Sequence, residues 1–193
     1  MASASPRRRE LLARLITEFE VVPSGIDETL GGPPSGETIA RLALAKARAV
    51  AGRVRSGIVV GADTVVVLDG VEFGKPVDVG AARAMLRRLR GRGHDVITGV
   101  AVVDAGTGRA ETTAVVTRVR MAEVGDDVIE AYVASGEPLD KAGAYAIQGR
   151  GGALVAGFEG SYSNVVGLPL EATARLLERF GIQVSAFEDS PGA

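Results

Sequence analysis

The sequence contains no cysteine. Disulfides, thiolate metal centres and thiol nucleophiles are therefore excluded, and the composition suits a reducing compartment. There is a single histidine, His94. A zinc site of the usual kind would lack its second nitrogen ligand, so we read His94 as structural. A basic excess is missing too: 22 Lys and Arg stand against 24 Asp and Glu, for a net charge of -2. That balance argues against a general nucleic-acid binder. No apolar run approaches the roughly 18 residues of a membrane span. The start, MASASPRRRELL, lacks the apolar stretch of a signal peptide. A cytoplasmic protein that engages neither membrane nor nucleic acid is expected. The G-x-x-x-x-G-K-[ST] phosphate loop is also absent, which excludes a P-loop enzyme.

What is present is an ordinary globular composition, 193 residues with 46% hydrophobic and 24% charged side chains. That is enough for one core or two small lobes, and no repeat or linker divides it. We expect a single domain over 1–193. Ser5-Pro6 has the form of a helix start, with Leu11, Leu12, Leu15 and Ile16 as the apolar face. The pattern predicts a short strand from Phe19 to Pro23 and a helix from Glu37 to about Arg53. A strand from Ile58 to Leu68 follows, then a hairpin turn at Asp69-Gly70. Asp78 is expected to cap a helix to Arg90, and Asp126 a helix to near Ser135. Further strands are predicted over Asp95 to Val103, Thr112 to Met121 and Ala153 to Phe158. Pro169 begins a last helix to Phe180, Ile182 to Val184 suggests a final strand, and the tail from Glu188 is expected to be loose.

Several polar residues break these patterns. Arg7, Arg8 and Arg9 occupy a first helical turn, where the dipole prefers acids. An anion brought there would reverse the sign, and amides, dipole and guanidinium forks together would make a phosphate site. Asp63 interrupts the apolar run of a central-looking strand, which calls for a ligand, a metal or a buried partner. Lys46 falls on the apolar stripe of its helix and either snorkels outward or points into a polar cleft. Gly74 and Pro76 fix the backbone around Lys75. The stretch GEPLDKAGAYAIQG packs Glu137, Asp140, Lys141, Tyr145 and Gln148 between glycines, in the manner of a wall facing a charged ligand. Arg7, Arg8, Lys46, Lys75 and Lys141 are thus candidate anion binders. Asp27, Glu28, Asp63, Glu137 and Asp140 are candidate metal ligands or bases. With no thiol and no credible Ser-His pair, water is the expected nucleophile. This inventory suggests phosphoanhydride hydrolysis assisted by a hard, oxygen-ligated ion such as Mg²⁺ or Mn²⁺.

The runs SASPRRRELL, GADTVV, GKP, EPLDKAGAYAIQG and SYSNVVGLPL, in this order, resemble the Maf family of nucleoside triphosphate pyrophosphatases. The likeness extends from Ala2 to about Phe180. It implies an α/β fold: a long twisted mixed β-sheet flanked by helices, with two lobes around a central cleft. The implied activity is hydrolysis of a nucleoside triphosphate to the monophosphate and pyrophosphate. By the same resemblance Asp63 is the proton acceptor that activates water. Arg7, Thr64 and Gln148 match positions that set substrate choice, and Glu28, Lys46 and Lys75 match the metal and phosphate cleft. Glu28 and Asp63 are the implied metal ligands, and a homodimer is the family expectation. Lys141 to Gln148 fits the Lys-Ala-Gly-x-Tyr-x-Ile-Gln pattern of the branch acting on dTTP and UTP. An amide such as Gln148 can pair with a pyrimidine edge through donor and acceptor. The competing readings are a nucleotide-binding regulator of septum formation and cell division, and a purine-specific pyrophosphatase. One departure stands out. The family pattern has an apolar strand ahead of its arginine motif, and here Met1 and Ala2 alone precede Ser3. A truncated first strand would loosen Arg7 and Arg8.

Overall fold

A computed structural model describes residues 1–27 and 32–190; Glu28 lies outside the described residues. The chain runs α1 (Pro6–Ala13), α2 (Gly36–Ala51), β1 (Ile58–Leu68), β2 (Val71–Phe73), α3 (Val79–Leu89), β3 (Gly93–Asp104) and β4 (Ala110–Met121). It continues through α4 (Asp126–Ala134), three short 3-10 helices between 137 and 154, β5 (Val155–Glu159), α5 (Tyr162–Val166) and α6 (Leu170–Arg179). The sheet order is β2-β1-β3-β4-β5. The helix-flanked sheet is the α/β architecture expected. Its pairings are all antiparallel rather than mixed. β1 and β3 are long, β-branched and buried on both faces, as suits a central pair.

The two faces of that pair differ. On one, α2 lies almost directly on the backbone, because Gly61 and Gly99 leave a notch there. A Cβ on Gly61 would sit 2.4 Å from Ala43 O, and one on Gly99 would sit 2.5 Å from Ile39 O. Only glycine permits so close a crossing. On the other face the apolar side chains form two separate clusters. Val60, Ala62, Val100 and Val102 pack with α1 and α6. Val66, Leu68 and Val96 pack with α3 and α4. Between these two lobes the face is polar, with Thr64 directly opposite Thr98 in the strand register.

The start of the chain is anchored. Ala2 N–H donates to Val60 O at 2.7 Å, and Val22 N–H donates to Met1 O at 2.9 Å. Ala2 is 1% exposed. A truncated first strand would have loosened Arg8, yet its guanidinium is bonded to β1. Phe19 to Pro23 forms no strand; it is an extended arm whose Phe19 and Val22 pack on the core. Ile182 to Val184 likewise pairs with no strand and packs its apolar side chains on the first cluster. The tail is not loose through residue 189. Ser185 N–H donates to Leu15 O at 2.8 Å, and Ser163 N–H donates to Asp189 Oδ1 at 2.7 Å. No helix among the described residues is long and apolar enough to cross a membrane.

Candidate active site

β2 pairs with β1 only from Val66 onward, and Ala2 reaches β1 at Val60. Between these points the outer edge of β1 is open, and a pocket of about 390 Å³ lies along it. An open strand edge exposes side chains from both faces at once. Asp63 enters the pocket from the face under α2, and Thr64 from the opposite one. The pocket gathers Arg7, Arg8, Lys46, Asp63, Thr64, Lys75, Lys141 and Gln148 of the candidate residues. Asp140 and Tyr145 line it as well.

Lys46 does not snorkel. It is 3% exposed, and its Nζ lies 2.5 Å from Asp63 Oδ1, the aspartate being 7% exposed. The glycine notch makes this contact, since it lets α2 descend until Lys46 meets the strand. The charge of Asp63 reaches further. It raises the Glu72 carboxyl above its ordinary range, after burial as the larger cause.

The cations divide into tied and available. Arg8 donates from Nη1 to Ala62 O at 2.8 Å, from Nη2 to Thr64 Oγ1 at 2.9 Å and from Nε to Gly167 O at 2.9 Å. It thus grips both chain neighbours of Asp63. Lys141 Nζ donates to Glu137 O and to Asp140 Oδ1, each at 2.6 Å. Burial opposes ionisation of Asp140, but the Lys141 hydrogen bond and charge, with Arg7, outweigh it and hold the carboxyl below its usual range. Arg7 and Lys75 make no hydrogen bond or ion pair with another described residue. Their guanidinium and ammonium groups face the pocket uncommitted. Gln148 sits exposed at the mouth.

Tyr145 carries the wall back into the core, where its hydroxyl meets His94 Nε2 at 2.7 Å. Burial raises the phenol above its usual range and lowers His94 to about 4, with the Arg118 charge a lesser cause. His94 is thus a neutral, fully buried strut, as read from its isolation. Glu137 stands outside the pocket lining, its carboxylate near Gly149, and Asp27 is exposed beside the mouth segment Pro23, Ser24, Gly25 and Ile26. Among the described residues no three His, Asp or Glu converge as a metal cage. Thr98 and Asn164 were missed as candidates. Thr98 is a polar residue inside the apolar run Val96 to Val100, the same signal that singled out Asp63.

A family model described as Maf-like protein matches residues 1–180. The chain belongs to the Maf-like family. The match takes in every pocket residue named above. Among Maf-like relatives, the dTTP/UTP pyrophosphatase of Moorella thermoacetica is 56% identical over 186 residues, covering 95% of each chain. That of Myxococcus xanthus is 55% identical over 187 residues, 94% of this chain and 92% of its own. The dTTP/UTP pyrophosphatase of Thermococcus gammatolerans is 49% identical over 178 residues, 92% of this chain and 94% of its own.

Proposed function

We propose that this chain is a nucleoside triphosphate pyrophosphatase acting on dTTP and UTP, and on modified pyrimidine triphosphates, to give the monophosphate and pyrophosphate. The observation that carries the reading is the buried Asp63–Lys46 pair at the floor of a pocket rimmed by the uncommitted cations Arg7 and Lys75. Relatives bearing the dTTP/UTP name at half identity or more support the substrate class.

In this mechanism Arg7 and Lys75 hold the phosphate chain by charge and hydrogen bonds. Lys46 fixes the orientation of the Asp63 carboxylate. Asp63 takes a proton from a water as its oxygen attacks the α-phosphorus. The bond from that phosphorus to the bridging oxygen breaks, and pyrophosphate leaves with the electron pair. Gln148, at the mouth, offers a donor and an acceptor to a pyrimidine edge. Arg8 and Thr64 are spent on the protein, so they shape the site rather than grip phosphate. A divalent ion bound largely through substrate phosphates needs only one or two carboxylates, and the oxygen donor Asp63, with Glu28, fits that demand. When bound, Mg²⁺ or Mn²⁺ supplies charge neutralisation at the phosphates. We take the protein to work in the cytoplasm as a single domain and, on family resemblance alone, as a homodimer.

The test is a substrate panel of dTTP, UTP, CTP, ITP and 7-methyl-GTP with Mg²⁺ or Mn²⁺, with product identification. Pyrophosphate plus TMP or UMP is expected. Orthophosphate plus the diphosphate would refute attack at the α-phosphorus. Asp63→Asn should lose roughly 10²- to 10⁴-fold in kcat while keeping nucleotide affinity, because a base acts in the transition state. Wild-type protein that binds dTTP without turnover would favour the regulatory reading instead.

A further inference from the structure

The polar seam between the two apolar clusters runs from Thr64, in the pocket lining, to Thr98, which is not part of that lining. Thr98 is 0% exposed. Its hydroxyl lies 2.9 Å from Thr64 Oγ1 and 3.2 Å from the backbone carbonyl of Asn164. Each hydroxyl has one proton, and a carbonyl can only accept. Thr98 donates to Asn164 O or to Thr64 Oγ1. Thr64 in turn donates to Thr98 Oγ1 or to Gly167 O at 3.3 Å. A Thr64 lone pair is left for Arg8 Nη2.

The result is a continuous hydrogen-bonded chain that links Arg8, Thr64, Thr98 and Asn164 O. Its far end is rigid, because Asn164 Nδ2 donates to Val96 O at 3.0 Å and to Thr117 Oγ1 at 2.9 Å. Its near end is the guanidinium that also holds Ala62 O. Hydroxyls so deep in an otherwise apolar face carry a desolvation cost unless fully bonded.

We propose that Thr98 is a positioning residue for the hydrolytic site: its buried hydroxyl anchors the chain that holds Thr64 and Arg8 around Asp63. It touches neither substrate nor reacting atoms. This inference rests on the pyrophosphatase reading for its kinetic consequence. Without the Thr98 hydroxyl, Thr64 loses its partner across the strand pair and is left with Gly167 O as acceptor, which already accepts from Arg8 Nε. The grip on the backbone either side of Asp63 then slackens.

The experiment compares Thr98→Val, which removes the hydroxyl at nearly constant shape, with Thr98→Ser, which retains it. Thr173→Val is the control. Thr173 is equally buried, and its hydroxyl donates to the carbonyl of Pro169, the N-cap of its own helix α6. Steady-state kinetics with dTTP and UTP should show kcat down roughly 10- to 100-fold in Thr98→Val with KM little changed. Thr98→Ser should recover most of that loss, and Thr173→Val should keep turnover at a comparable drop in Tm. Wild-type kcat in Thr98→Val, failure of Thr98→Ser to rescue, or an equal kcat loss in Thr173→Val would each overturn the proposal. Should Thr98→Val not fold, Thr98→Ala takes its place. If the wild-type protein hydrolyses neither nucleotide, the substrate reading fails. The crystal structure of Thr98→Val then decides. A Thr64 hydroxyl turned to Gly167 O or a displaced Arg8 supports the positioning role, and an unchanged Arg8–Thr64 contact refutes it.

Discussion

Lys46 and Asp63 lie 2.5 Å apart in the interior, and a buried ion pair is a poor source of stability, because desolvation offsets most of the attraction. Its presence at the floor of a pocket is better explained by what the carboxylate does there. Asp63 could be picked out from sequence because a charge inside a β-branched strand has few structural excuses. Whether Lys46 snorkels or turns inward could not, since helical spacing gives a side chain's face and not its reach. His94 makes the opposite case, a titratable group held neutral by the core. Its unfolded value is 6.5, and burial lowers the folded one to about 4. Between those values the unfolded chain binds more protons than the folded one, so stability falls as pH falls. From pH 7 to pH 4 the His94 contribution to this loss is about 3 kcal/mol. Urea unfolding at the two pH values should therefore show a larger acid loss in the wild type than in His94→Gln, by about that amount. An equal loss in both would mean that the imidazolium is tolerated in place.

Helix α2 sets the geometry of the site through two glycines on the strands beneath it. A Cβ at Gly99 would meet Ile39 C, Ile39 O and Ala40 N, all at 2.5 Å. These are helix backbone atoms, which cannot yield singly, so the whole helix must lift and carry Lys46 away from Asp63. Gly99→Ala should cost about 1–3 kcal/mol or more and should reduce kcat/KM well beyond what partial unfolding explains. Gly157→Ala is the matched control in β5, where an added Cβ meets nothing within 4 Å. Urea midpoints and kinetics on both proteins check this; a Gly99→Ala enzyme with normal kcat/KM would show the notch to be dispensable. β1 was legible to the residue, since its apolar run and the Asp69-Gly70 turn delimit it locally. α5 was not. Its five residues are too few for propensity to act, and Ser161 Oγ and the Asn164 side chain hold it through bonds to α5 itself, β3 and β4. Phe19 to Pro23 and Ile182 to Val184 carry strand-like patterns, but their apolar side chains pack as arms on the core instead of pairing with the sheet.

The pocket is assembled from segments near residues 2–8, 23–26, 46, 63–66, 75, 140–148 and 165–166, so no stretch of the chain contains it. The motifs were visible one by one in the sequence, and their likeness to a family put them in one cleft. The open edge of β1 that admits Asp63 and Thr64 together was not visible, because it depends on where two distant strands stop pairing. The division of the cations was hidden for the same reason: Arg8 and Lys141 look like Arg7 and Lys75 until their partners are seen. A ligand that bridges these segments should stabilise the whole fold, since it binds the assembled pocket and not the unfolded chain. At 100 times its Kd, a non-hydrolysable dTTP analogue with Mg²⁺ should add about 2.7 kcal/mol, a rise in Tm of roughly 5–10 °C for a chain of this size. Arg7→Met and Lys75→Met combined should abolish most of that rise at the same ligand concentration while leaving the unliganded Tm nearly unchanged, because neither side chain makes a hydrogen bond or ion pair with a described residue. Arg8→Met should instead lower the unliganded Tm, because its guanidinium joins α1 to β1 and to Gly167. Thermal denaturation of the three proteins with and without analogue separates the two kinds of cation. If Arg7→Met/Lys75→Met kept the full shift, the phosphate chain would have to be held by the cations that the protein has already engaged.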